Sequence, residues 1–234
     1  MNKDLFVNTA KKLNIEVSTG QVEKFKKYSE LLVEKNKVMN LTSITDDDGI
    51  AIKHFIDSIL VLSLVEIPEN SKVIDVGTGA GFPGIPLKIM REDMEITLLD
   101  SLNKRITFLN EVKTALNLEK TACVHSRAED GGKNKDLREK FDFSVSRAVA
   151  PLKILCEYDL PFVKVGGYFI AMKSAEIDEE IEESRAMIGS LGGKIKEIKE
   201  ITIPDTDIKR KIVIIEKVKE TPKQFPRNPK KIGR

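Results

Sequence analysis

The segment VIDVGTGAGFPGIPL (residues 73–87) decides the fold. A short apolar run, 72–76, reads as a buried strand; Gly77, Gly79 and Gly81 follow it, and a helical stretch near 84–91 comes next. Glycines in that place let the backbone take positive φ and approach a ligand closely. Residues 79–84 also spell G-x-G-x-x-G, the dinucleotide fingerprint. Three features point elsewhere. Gly77 already closes the strand, two residues before that fingerprint begins. Pro83 and Pro86 interrupt the entry of a pyrophosphate-binding helix, although proline is tolerated in a first turn. Asp75 sits inside the strand, where a dinucleotide site prefers apolar side chains. An acid there suits a ligand that carries positive charge and no phosphate, as S-adenosylmethionine does. Asp100 lies 19 residues beyond Gly81 at the end of the next apolar run, where an acid accepts hydrogen bonds from ribose hydroxyls. The expected cofactor is S-adenosylmethionine, with Gly77, Gly79 and Asp100 among its contacts.

Outward from this loop, apolar runs at 72–76, 95–100, 121–125, 142–146 and 167–173 read as buried strands, and two last strands follow near 194–202 and 210–217. Helical stretches near 84–91, 102–117, 151–164 and 177–191 alternate with them. Seven strands with helical crossovers imply a Rossmann-like α/β fold, a mostly parallel sheet with helices on both faces, ending in an antiparallel hairpin. The first 65 or so residues read as helical, with Phe25, Tyr28, Leu31, Leu32 and Met39 at helical spacing and Ser18 or Thr19 as an N-cap. A second helical stretch, 47–64, opens on Asp46, Asp47 and Asp48, acids that suit a helix N-terminus. The expected organisation is one structural domain: a helical extension (1–68), a methyltransferase core (69–217) and an irregular basic tail (218–234).

The 234 residues are 41% hydrophobic and 32% charged, with two Cys and two His. That composition excludes a disulfide framework and disfavours a His-built metal site. No stretch reaches the ~18 apolar residues of a membrane span, and the start has no signal-peptide pattern. A cytoplasmic, metal-free protein is expected, with no membrane association. The net charge of +2 is unevenly spread: +3 over residues 1–40, −8 over 41–193 and +7 over 194–234. Basic ends suit a polyanion, because Lys and Arg neutralise phosphates and release counterions.

The third and fourth strands carry the chemistry. His125-Ser126-Arg127-Ala128-Glu129 follows the third, where Ala128 and Glu129 could supply a donor and an acceptor to adenine. The fourth ends DFSVSRAVAPL (142–152), with Arg147 where amine methyltransferases often carry Asn/Asp-Pro-Pro-aromatic. Cys123 and Cys156 lie in no Pro-Cys turn, which disfavours covalent cytosine chemistry. A ring nitrogen such as guanine N7 has a lone pair and no proton to lose, so alignment and electrostatics suffice. Arg147 offers five fixed donors and is the candidate positioning residue, for cofactor, guanine or phosphate; an internal ion pair is the competing role.

NLTSI (40–44), KHFIDSI (53–59), the glycine segment, LLDSLNKRITFL (98–109), SRAED (126–130), SRAVAPL (146–152) and FPRNPKKIGR (225–234) occur in that order. In this the sequence resembles the RsmG (GidB) family of bacterial 16S ribosomal RNA guanine-N7 methyltransferases. The resemblance implies cofactor contacts at Gly77, Phe82, Ala128, Glu129 and Arg147. It also implies 16S ribosomal RNA or the small-subunit particle as partner. His54, Lys223, Arg227, Lys230 and Lys231 are the RNA-contact candidates, and a monomer is expected. A methyltransferase acting on a small molecule or a protein is the alternative.

Overall fold

The structure, a computed structural model, describes residues 1–228 and 232. Its centre is a seven-stranded sheet in the order β3-β2-β1-β4-β5-β7-β6. The strands are β1 (Lys72–Val76), β2 (Glu95–Asp100), β3 (Thr121–His125), β4 (Phe141–Arg147), β5 (Val163–Ser174), β6 (Gly193–Thr202) and β7 (Lys209–Lys217). β1 to β5 pair in parallel, and β7 runs antiparallel to both β5 and β6. Alternate residues feed opposite faces: Ile170, Met172, Ile212 and Ile214 join one apolar cluster, while Phe169, Ala171, Val213 and Ile215 join another. Burial on both faces explains why the central strands β1, β2, β4 and β7 read as near-continuous apolar runs, whereas edge strand β6 is largely exposed.

The crossovers are α5 (Gly84–Met90), α6 (Asn103–Ala115), α7 (Ala128–Gly131), α8 (Leu152–Asp159) and α9 (Asp178–Ser190). The expected helix over 151–164 is shorter than its apolar pattern. A 3-10 turn, Leu160–Phe162, follows α8, and β5 begins at Val163. Pro161 has no N–H with which to continue an α-helix.

Before the sheet lie α1 (Lys3–Lys12) and α2 (Thr19–Met39). Ser18 caps α2 in a reciprocal box with Gln21. The segment 47–63 is continuously helical but not uniformly α: α3 (Asp47–Gly49), a π-helical stretch Ile50–Ile56, α4 (Asp57–Ile59) and a 3-10 turn Leu60–Ser63. Asp46 caps it through Gly49 N–H at 2.7 Å. Wide π turns are uncommon and concentrate at functional sites; this one carries His54. The helical extension is continuous with the core. Ring contacts run Phe6–Phe25 (4.7 Å), Phe25–Phe55 (4.9 Å), Phe55–Tyr28 (5.5 Å) and Tyr28–Phe82 (5.5 Å), ending in the glycine loop. Among the described residues no helix is long and apolar enough to cross a membrane.

Residues 218–228, after β7, form no helix or strand and are packed down. Thr221 Oγ1 donates to Leu191 O at 2.8 Å, and Arg138 donates to the carbonyls of Thr221 and Phe225. Phe225 is buried in the cluster around α8 and α9. Arg227 forks onto Glu157, Nε to Oε1 at 2.9 Å and Nη2 to Oε2 at 2.7 Å. Arg227, an RNA-contact candidate from the sequence, is thus engaged by Glu157. Glu157 is fully buried, and breaking a buried ion pair by removing one partner is strongly destabilising. Lys223 is exposed. Lys230 and Lys231 lie outside the described residues.

Candidate active site

Gly77, Gly79 and Gly81 all take positive φ, at 72°, 62° and 108°. Gly81 has no room for a side chain, whereas Gly79 has room. A Cβ on Gly81 would stand 2.6 Å from Tyr28 Oη, so the N-terminal extension sits directly against the loop. Gly79 faces open space, and its N–H donates to Asp100 Oδ2 at 2.9 Å. Asp100 is also held through Oδ1 by Leu102 N–H at 2.9 Å, and Arg105 Nη1 reaches Oδ2 at 3.2 Å. The end of β2 and the glycine turn are thus tied together at one carboxylate.

Asp75 is placed differently from the sequence expectation. It is fully buried beneath the loop, and its Oδ2 accepts from Thr78 Oγ1 (2.6 Å) and Gly84 N–H (2.7 Å). It shapes the turn from below and does not line the cavity above it. Burial pushes its carboxyl up to about 7, against the lowering effect of those two hydrogen bonds.

Above the loop is a cavity of about 490 Å³. Gly77, Gly79, Phe82, Asp100, Ala128, Glu129, Arg147 and His54 all line it. These eight come from the π-helical stretch, the glycine loop, the end of β2, α7 and the end of β4. The His54 ring lies parallel to Phe82 at 4.5 Å and 12°. The Arg147 guanidinium stands 5.2 Å from the centroid of the same ring, a cation–π distance. His54 Nε2 is 2.8 Å from Thr42 Oγ1, while its Nδ1 is buried with no hydrogen-bond partner. Burial, reinforced by the Arg147 charge, holds His54 down to about 4, so its ring is neutral at pH 7. Arg147 Nη1 donates to Asp57 Oδ2 at 2.9 Å and to the carbonyls of Lys53 and His54. Arg147 therefore forms an internal ion pair and lines the cavity at the same time.

Residues 21–213 match the GidB family, rRNA small subunit methyltransferase G. The chain belongs to this family. It is 51% identical to the ribosomal RNA small subunit methyltransferase G of Clostridium perfringens (strain 13 / Type A) over 224 residues, 96% of this chain and 94% of that one. The protein of the same name from Thermoanaerobacter sp. (strain X514) is 51% identical over 231 residues, covering 99% and 96%. Among solved structures, a predicted O-methyltransferase from Agrobacterium tumefaciens superposes with a TM-score of 0.54 at 21% identity, covering 68% of this chain and 79% of that one. Aeropyrum pernix fibrillarin with natively bound S-adenosyl-L-methionine gives 0.51 at 14%, covering 68% and 73%. At such identities the likeness is one of fold, that of the Rossmann-like class I methyltransferases.

The cavity suits S-adenosylmethionine by its own chemistry. Carboxylates at Asp100 and Glu129 stand on its wall, Gly79 leaves room for close approach, and Phe82 offers an apolar face. Several lining residues lay outside the sequence reading. Thr42 and Leu41 arrive from the extension, Arg105 from α6 and Tyr158 from α8. Arg105 carried a signal, since it follows Asp100 by five residues at the start of a helix. Thr42 lay inside the quoted NLTSI segment with no role given to it, and Tyr158 carried no signal, because only the tertiary fold brings it here.

Proposed function

We propose that this GidB-family chain methylates N7 of a guanine in 16S ribosomal RNA of the bacterial small subunit, acting as a cytoplasmic monomer. The cofactor supplies an electrophilic methyl group on a sulfonium. The stack of His54, Phe82 and Arg147 on the cavity wall is the observation that carries the N7 reading. A neutral imidazole and an aromatic ring offer a planar surface, and the guanidinium offers directed donors without a proton to release. No thiol lines the cavity: Cys156 is buried in α8, where burial and neighbouring carboxylates push it well up, and Cys123 is half-buried in β3. A reaction that only requires alignment of a lone pair fits that set. Asp100 and Glu129 would hold the cofactor, and Asp75 keeps the loop in its shape.

The names of the relatives support ribosomal RNA as substrate, and the basic termini suit it. The test uses labelled methyl donor with small-subunit particles, naked 16S RNA, a protein extract and a metabolite extract. Digestion of the RNA to nucleosides should yield 7-methylguanosine. Label confined to another nucleoside would overturn the N7 assignment, and label in protein or metabolites alone would overturn the substrate class.

A further inference from the structure

A second cavity, of about 340 Å³, adjoins the first and shares His54, Arg147 and Ala148 with it. Four cations line it, Lys53, Arg147, Lys173 and Arg210, against the single carboxylate of Asp57. Asp57 is buried, and both arginines donate to it: Arg210 reaches both of its oxygens, with Nη2 also 3.3 Å from Oδ2, and Nη1 of Arg210 donates to Lys209 O at 3.1 Å. Arg147 Nη1 reaches Oδ2 at 2.9 Å and Arg210 Nε reaches Oδ1 at 2.7 Å. One carboxylate thus holds two guanidiniums side by side, and one positive charge there stays uncompensated. Lys173 is matched by Glu180 at 2.7 Å. Lys53 is exposed and forms no ion pair among the described residues, which adds a second free charge. Arg147 spends Nη1 three times over, and its Nε and Nη2 donate to no described residue.

Like charges held together at a partly enclosed surface repel, and an anion entering between them relieves that repulsion. Arginine adds direction, because its planar fork matches the non-bridging oxygens of a phosphate. The geometry points to an anion subsite: this cavity takes a phosphodiester of the RNA strand that carries the methylated base, gripped by Arg210 and Lys53, with Asp57 fixing the spacing of Arg147 and Arg210. The assignment rests on the ribosomal RNA reading above. A backbone held here lies beside the cofactor cavity, since His54 and Arg147 line both. Phosphate contacts set register without reading sequence, so the subsite positions the strand and leaves base choice to the first cavity.

The experiment uses the full chain saturated with S-adenosylhomocysteine and a guanosine-containing single-stranded RNA 12-mer, titrated over a salt series. Arg210→Gln and Lys53→Gln should each weaken binding at low salt about fivefold to tenfold and flatten the log–log salt slope by roughly 0.7, one contact's worth on a single strand. Arg210→Lys should recover the slope but not the full affinity, because charge returns without the two-point hold on Asp57 that fixes where it stands. Cofactor affinity should stay within about twofold, since neither residue lines the first cavity. Unchanged affinity and slope in both glutamine variants overturn the subsite. Inorganic phosphate that binds the wild-type chain while neither substitution alters RNA binding would assign the cavity to a free anion and overturn it equally. If Arg210→Gln fails to fold, Lys53→Gln carries the test alone, since that side chain is exposed. A wild-type chain that binds RNA with this dependence but leaves guanine N7 unmethylated would sink the proposed function and leave the subsite standing.

Discussion

Tyr28 Oη donates to Ala80 O at 2.6 Å, so a helix of the N-terminal extension holds the middle of the glycine loop by its backbone. Both groups are buried, and the same ring packs on Phe55 and Phe82. Tyr28→Phe keeps the packing and removes the donor, leaving a carbonyl unsatisfied at a cost of ~1–3 kcal/mol. Cofactor affinity measured by calorimetry should fall about fivefold or more. An unchanged affinity would show that the loop holds its shape without the extension.

Asp75 predicts a pH dependence of stability. Its folded carboxyl titrates near 7, above the value of about 4 expected for an unfolded chain. The protonated acid is therefore favoured by folding. That contribution is complete below about pH 4 and is lost as pH rises through about 7. Asp75→Asn retains an oxygen to accept from Thr78 and Gly84 and cannot ionise. Thermal melts should show the wild type losing stability relative to this variant between pH 4 and 7. Parallel curves across that range would refute the raised value.

The Asp57 bridge predicts an asymmetry between its members. Arg147→Ala leaves Asp57 paired with Arg210. Asp57→Ala leaves two guanidiniums without their shared counter-charge, a loss of the ~3–5 kcal/mol kind seen when one side of a buried pair is removed. Denaturant unfolding should rank Asp57→Ala well below Arg147→Ala. Methyl transfer should fail in both, and Arg147→Lys should also lose most activity because the fork is gone. Full activity in Arg147→Lys would reduce the residue to a point charge.

Arg227 and Glu157 give a prediction about the tail. Glu157 is fully buried and its carboxylate receives both the Arg227 backbone N–H and the guanidinium. Arg227→Ala should destabilise the fold by ~3–5 kcal/mol, whereas Lys223→Gln, at an exposed position, should leave the melting temperature unchanged. Equal melts for the two variants would mean that water compensates Glu157 once Arg227 is gone.

What could be read from the sequence was what is decided locally. The glycine turn, the Ser18 cap and the position of Asp100 each depend on neighbours within a few residues or one βαβ unit. Asp75 was legible as an unusual acid but not as a buried one, because alternation along a strand does not tell depth. Arg227 was legible as charge only, since its partner Glu157 stands 70 residues away and composition does not record pairing. Arg210 and Asp57, 153 residues apart, meet for the same reason without any shared motif. The π-helical stretch was invisible because its apolar pattern also suits an α-helix.

The row of rings from Phe6 to Phe82 bears on the order in which the chain is made. A ribosome releases residues in sequence, and early segments wait for late ones. α2 is finished at Met39, yet the ring that ends its aromatic row is about forty residues further on. The cavity wall extends later still, to Tyr158. A nascent chain stalled between those points presents an uncovered aromatic face and a glycine loop with no enclosure. Competence for the cofactor arrives only once α8 has emerged, well after the loop itself has been translated.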